Sequence, residues 1–208
     1  MKRKVHLLIK SFCIGICSFF LFGCLSVKSD ITLSKDGSGN LSLSYAVSKM
    51  MANIGRTEDD GRFIPLPVNR EDFEKVVRSS EGLSLTSYKQ SEDAENILIE
   101  AVISFEKADS LSALYGRAQG EGVAFKEEGG RRMFSQFIYG GLSGEPDPES
   151  LSLIETIFQG YNLSFSVTAP SRILSANMGT IQNNTVSYTV SIPALLQKRE
   201  PVSLEISF

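Results

Sequence analysis

Several residue sets have types and spacings that could do chemistry. Ser104-Phe105-Glu106-Lys107 has the Ser-x-x-Lys spacing that lets a lysine activate a serine for acyl transfer. That chemistry needs the serine at a helix start and two further motifs, Lys-Thr-Gly and Ser-Asp-Asn. Here the tetrapeptide closes a strand-like run, and neither motif occurs in the chain. Asp36, Ser38 and Asn40 place oxygens like the opening of a calcium loop, but Val47 stands at the twelfth place, where a carboxylate is required. Gly116, Gly120 and Gly122 are spaced like a phosphate cradle without its Gly-Lys-Ser/Thr ending, so a flexible loop is expected. Glu58-Asp59-Asp60-Gly61 lacks ligand spacing. Glu127-Glu128 is a carboxylate pair at a hairpin tip, whereas glycoside hydrolysis needs two carboxyls facing each other across a cleft. All of these read as turns or solvated charge, and the expected catalytic set, metal set and cofactor set are each none.

The pattern with a definite chemical consequence is Leu21-Phe22-Gly23-Cys24. Basic Lys2, Arg3, Lys4 and Lys10 precede an apolar run over residues 12–22, and small Gly23 stands before the cysteine. Charged, apolar, then small is the order of a secretory signal. The run is shorter than the roughly 20 residues a membrane-spanning helix needs. Cleavage between Gly23 and Cys24, with a diacylglycerol on the Cys24 sulfur, is therefore expected. The expected organisation is a signal peptide over 1–23, a lipidated tether over 24–29 and a single domain over 30–208. With strand character starting at Asp30, the tether reaches at most about 20 Å. More than one acyl chain anchors stably, so the membrane is the expected partner through Cys24. The expected location is the cell envelope, on the periplasmic or surface-exposed side.

Removal of 1–23 takes four of the 21 Lys+Arg and none of the 24 Asp+Glu, leaving a formal charge of −7. Such a surface disfavours nucleic acid as a partner. His6, Cys13 and Cys17 leave with the signal, and Cys24 is consumed by lipid. The mature body then has no imidazole and no free thiol. Histidine- or cysteine-based catalysis is excluded, and an enzyme is not expected.

Periodicity supplies the elements. Alternation over 30–35 and 40–48 around Asp36-Gly37-Ser38-Gly39 predicts a β-hairpin. Residues 49–54 fit a helical turn, and 56–67 a polar loop. Asn69 caps a helix to Arg78 with Phe73, Val76 and Val77 inward. Strands follow over 83–88 and 96–107. In the latter Ile97, Ile99, Ala101, Ile103 and Phe105 share one face. Asp109 is expected to cap a short helix over 110–115. Residues 123–126 and 133–139 form a second hairpin, 140–147 a linker, and 148–159 a helix. Strands then run over 161–167, 172–176, 185–192 and 202–208, with a turn at Asn183-Asn184 and a bend over 193–197. The closing run to Phe208 is expected to be the last strand of a soluble sheet, since outer-membrane barrels need many strands of about ten residues. The expected fold class is α+β, a largely antiparallel curved sheet or sheets with three or four helices packed on it, after the cleaved signal.

Three stretches together resemble the LppM-like domain of bacterial envelope lipoproteins. They are Ile31-Thr32-Leu33-Ser34-Lys35-Asp36-Gly37-Ser38-Gly39, Phe105-Glu106-Lys107-Ala108-Asp109-Ser110-Leu111, and the block 161–208 with Pro170, Ala176-Asn177 and Val186-Ser187-Tyr188. The resemblance implies a surface-tethered α+β domain without enzymatic activity, suited to lipids or envelope amphiphiles. A lipid ligand is thus the first expectation, and docking of an envelope protein partner the alternative. Which residues would touch a ligand is not readable from spacing.

Overall fold

The structure, a computed structural model, describes residues 26–49, 67, 69–115, 117–141 and 148–208. Eleven strands make two sheets. They are β1 (Ser26–Leu33), β2 (Gly39–Ser48), β3 (Leu83–Glu92), β4 (Asn96–Phe105), β5 (Val123–Glu128), β6 (Arg131–Tyr139), β7 (Asn162–Thr168), β8 (Ser175–Ala176), β9 (Thr180–Gln182), β10 (Thr185–Ser191) and β11 (Val202–Ser207). The larger sheet has the order β3-β4-β2-β1-β7-β10-β9, and the smaller β5-β6-β11-β8. Helices are short: α1 (Arg70–Arg78), α2 (Pro148–Ile157), α3 (Ile192–Leu196) and a 3-10 helix over Ala108–Tyr115.

The expected α+β architecture, with three or four helices packed on the sheet, does not hold. A second sheet does the covering. The main core joins Ile31, Leu41 and Ile103 of the large sheet to Val123, Phe134, Leu204 and Ile206 of the small one. Among the described side chains of the α-helices, only Phe73 of α1 is fully buried in that cluster. The reason lies in the alternation of β5, β6 and β11. Each strand offers one apolar face, and two such faces bury each other without a helical layer. The predicted helix over 110–115 is the 3-10 segment, and the bend at 193–197 is α3. The helical turn expected over 49–54 and the 140–147 linker lie mostly outside the described residues.

Pairing is antiparallel except at one place. β1 lies parallel to β7, with Ser26 opposite Asn162 and Thr32 opposite Thr168. The first hairpin forms as expected. Its turn is closed by Asp36, whose carboxylate accepts from the Ser38 amide and hydroxyl. Gly37 there has φ +84°, and Phe125 of the small sheet lies where its side chain would be. At Gly39 a Cβ would fall 2.0 Å from the Thr32 carbonyl oxygen, so no side chain fits. The turn is thus a seam between the two sheets, which is why it is made of glycine and short polar residues.

α1 begins as its sequence dictates. Asn69 accepts from the Asp72 amide at 2.9 Å, and Glu74 is bracketed by Arg70 and Arg78. Phe73 is buried while Val76 and Val77 are half-buried. β3 runs four residues past its expected end and turns at Asp93, whose carboxylate accepts the Glu95 and Asn96 amides. In β4 the predicted inward set is buried or half-buried, and Leu98 on the opposite face is exposed. The outer face of the large sheet is dominated by hydroxyl and amide side chains. Its few charges include the pairs Lys28–Asp30 and Lys89–Glu100.

Candidate anchor and ligand site

Gly23 and Cys24, the predicted cleavage and lipid-attachment residues, lie outside the described residues. The position of the first strand nevertheless constrains them. β1 starts at Ser26, not at Asp30. Two backbone steps separate Cys24 from strand, which span at most about 7 Å. The start of the central strand of the large sheet is therefore next to the cysteine.

The inner face of the large sheet near this end differs from the rest of the core. Phe165 and Leu195 are buried but do not belong to the main cluster. Around them Leu163, Tyr188 and Val190 are half-buried. Tyr188 is directly opposite Phe165, and Val190 opposite Leu163, so each pair shares a face. Across β1, Val27 and Leu43 are also half-buried and pack at the margin of the main core. In the middle sits Ser29, opposite both Leu43 and Phe165. It is 5% exposed, and its hydroxyl has no hydrogen-bond partner. A buried hydroxyl without a partner costs free energy that an apolar residue there would not. The signal was present in the sequence. Val27, Ser29, Ile31 and Leu33 alternate onto the core face, and one of the four is polar.

Beside this region Tyr45 is buried and donates its hydroxyl to the Pro67 carbonyl. Burial pushes the Tyr45 phenol far up, and nearby Tyr88 and Asp72 add to the effect. It is a fixed neutral donor, not an acid. Tyr88 is raised by burial as well, and its ring tilts against Phe73.

The described part of the glycine-rich loop is tied to the 3-10 helix through Ser112. Ser112 is completely buried and its oxygen accepts from the amides of Gly120, Gly122 and Val123 while donating to the Val123 carbonyl. Amides that could have held an anion are taken by a hydroxyl from the chain itself. Gly116 lies outside the described residues. Asp109 does not cap the segment as expected. Its carboxylate accepts from the Phe125 amide at 2.7 Å and so pins β5 to the 3-10 helix. Next to it Gln136 donates to the Tyr115 hydroxyl, and its own carbonyl oxygen has no partner. Burial raises the Tyr115 phenol, which the Gln136 contact partly opposes.

The remaining candidate motifs are dispersed. Ser104 donates to the Ser84 carbonyl from the outer face of β4, and Lys107 is exposed beyond the strand. Glu127 pairs with Arg132 across the exposed β5–β6 hairpin, with Glu128 next to it. Glu58-Asp59-Asp60 falls outside the described residues. Among the described residues no three His, Cys, Asp or Glu converge as metal ligands. No described helix is long and apolar enough to cross a membrane.

An open concavity lies on the outer face of the small sheet. It is an open groove of about 480 Å³, lined by Lys126, Met133, Ser135, Ser175, Asn177 and Glu205 among others. Met133 and neighbouring Leu174 are exposed. Asn177 finishes the edge of β11. Its carbonyl accepts the Glu205 amide and its NH2 group donates to the Ser203 carbonyl, each at 2.9 Å.

A seven-stranded sheet with one parallel pairing, closed on its inner face by a small sheet, is an LppM-like fold. The chain matches the NMR structure of the folded domain of Mycobacterium tuberculosis LppM over 91% of each chain, at 14% identity and a TM-score of 0.51. No family model and no curated protein matches the chain.

Proposed function

We propose that the protein is a lipoprotein held in the cell envelope by acyl chains on Cys24, and that its domain binds a lipid or lipid-like amphiphile without enzymatic action. The observation that carries this reading is the inner face of the large sheet near the start of β1. Leu163, Tyr188, Val190, Val27 and Leu43 are half-buried there, around one unpartnered hydroxyl, Ser29. A largely apolar surface with two hydroxyls, of Ser29 and Tyr188, suits an acyl chain whose ester or amide meets one of them. The position of the site next to the expected lipid cysteine supports the same reading. The lack of histidine and free thiol in the mature chain supports a binding role over a catalytic one.

The chain has no tryptophan, so Tyr188→Trp introduces a single reporter. Envelope lipid extract added to the mature variant should shift its emission to the blue, and lipids brominated on the acyl chain should quench it. Native mass spectrometry should show one added lipid mass. An unchanged spectrum together with a bare mass would reject the reading.

A second reading, a structural or assembly role with docking of an envelope protein, draws on the small-sheet groove and on exposed Met133 and Leu174 beside it. In-cell crosslinking from a photoreactive residue at Met133 should then trap one dominant partner.

A further inference from the structure

If Cys24 carries the lipid, the short link to β1 says which end of the domain meets the bilayer and how the domain leans. β1 is the fourth strand of seven, so the anchor is attached at the middle of the large sheet's rim. The two halves of that rim are unlike. On the β2–β4–β3 side, register carries the sheet past the level of Ser26. Lys28 is opposite Ser44, and the β2–β4 ladder continues to Ser48 opposite Asn96. Beyond that ladder comes the turn of Glu92, Asp93 and Glu95, in which Lys49 pairs with Glu92 at 3.1 Å. Two further ladder residues and a turn overhang Ser26 by on the order of 10 Å. That exceeds the reach of the link, about 7 Å. An upright sheet would therefore drive this turn into the headgroups.

On the β7–β10 side, Ser26 is level with Asn162 and Ser191. Past them lie Phe158 and Tyr161, with rings 5.8 Å apart and edge to face. α3 comes next with half-buried Ile192, Pro193 and Leu196. The Ile192 amide donates to the Tyr161 carbonyl and ties the two pieces into one lip. The charges near this lip are Glu155, which accepts from Gln197, and Lys198, Arg199 and Glu200. Among the described residues one half-rim is therefore acidic, with three carboxylates to one lysine, and the other is aromatic and apolar with two acidic and two basic residues beside it. Anionic headgroups repel the first, and the interface favours aromatic rings.

We propose that the lip formed by Phe158, Tyr161 and α3 rests on the lipid bilayer surface, with the acidic Glu92–Glu95 turn tilted away and the small sheet at the far end. The proposal rests on the lipid anchor at Cys24.

The test uses the mature lipidated protein in vesicles of three parts zwitterionic to one part anionic phospholipid. Acylated Cys24 has no thiol, so a cysteine placed at an exposed site is the only one to take a dye. Gln159→Cys marks the lip, Ala94→Cys the acidic turn and Glu128→Cys the far hairpin. Quenching by a nitroxide on the lipid headgroup should be at least threefold stronger at 159 than at 128, and stronger at 159 than at 94. Vesicle flotation with 94 quenched as strongly as 159, or with 159 no more quenched than 128, overturns the orientation and leaves the anchor standing. Loss of flotation with no palmitate label on Cys24 overturns the anchor, and the orientation with it.

Discussion

The two ends of the large sheet are built on different terms. At the end where the small sheet covers it, Ile103, Leu111 and Leu204 are fully buried and Phe134 nearly so. Polar groups at this end are mostly spent within the fold, as Ser112 shows by serving four backbone groups. At the end where β1 begins, Leu163, Tyr188 and Val190 are half-buried around buried Phe165, and Ser29 keeps a hydroxyl without a partner. The difference separates residues that hold the fold from residues available to something else. Stability should be concentrated at the first end and ligand response at the second.

The comparison can be broken most sharply with core truncations. Phe134→Ala should cost about 3–5 kcal/mol in urea unfolding, because it removes a large side chain from a filled site. Leu163→Ala, at the other end, should cost about 1 kcal/mol, in keeping with partial burial. Equal costs would erase the distinction. Ser112→Ala should lose about 2–3 kcal/mol, since it strands buried amides. It should also expose the 117–122 loop to proteolysis. Asn69→Ala tests the start of α1 and should cost about 1 kcal/mol by the same measurement. Ser29→Ala should act in the opposite direction. With no hydrogen bond to lose, the ligand-free domain should gain up to about 1 kcal/mol. The lipid-induced emission change of the Tyr188→Trp reporter should weaken in the same variant. A Ser29→Ala protein that is less stable and binds unchanged would show the hydroxyl to be structural.

The smallest effect concerns pH. The Glu95 amide and then the Asn96 amide hold the Asp93 carboxyl below its usual range. The folded value lies below the unfolded one, so the contribution is complete above the unfolded pKa of about 3.9. It is lost as pH falls through the lowered folded value. Asp93→Asn should therefore lower the unfolding midpoint at pH 6, and the gap from the parent should narrow by pH 3.

Local elements were largely legible because their causes are local. Asn69, the Asp36–Gly39 turn and the β5–β6 hairpin each arise from a few adjacent residues. The number of layers was not legible. Alternation shows that a strand has an apolar face, and it does not say whether a helix or a second sheet covers that face. Three or four helices were expected to pack on the sheet, and β5, β6 and β11 cover its inner face instead. The parallel pairing was invisible for the same reason, since short loops betray antiparallel neighbours and β1 and β7 are joined by none. At the candidate site, the proposed anchor, Cys24, is marked by its own motif. Ser29 was passed over because the strand was expected to begin at Asp30, after it, whereas β1 begins at Ser26. Asp109 was misread because its carboxylate serves Phe125, a residue 16 positions away.

The β1–β7 pairing has a consequence for how the protein comes into being. The middle of the large sheet joins a segment delivered first to one delivered after residue 160. Distant contacts of this kind close late and slowly. In synthesis from the amino end the leading strand must wait, unpaired along one edge, until most of the chain has been made. An exposed strand edge of this kind is open to pairing with another chain throughout that interval.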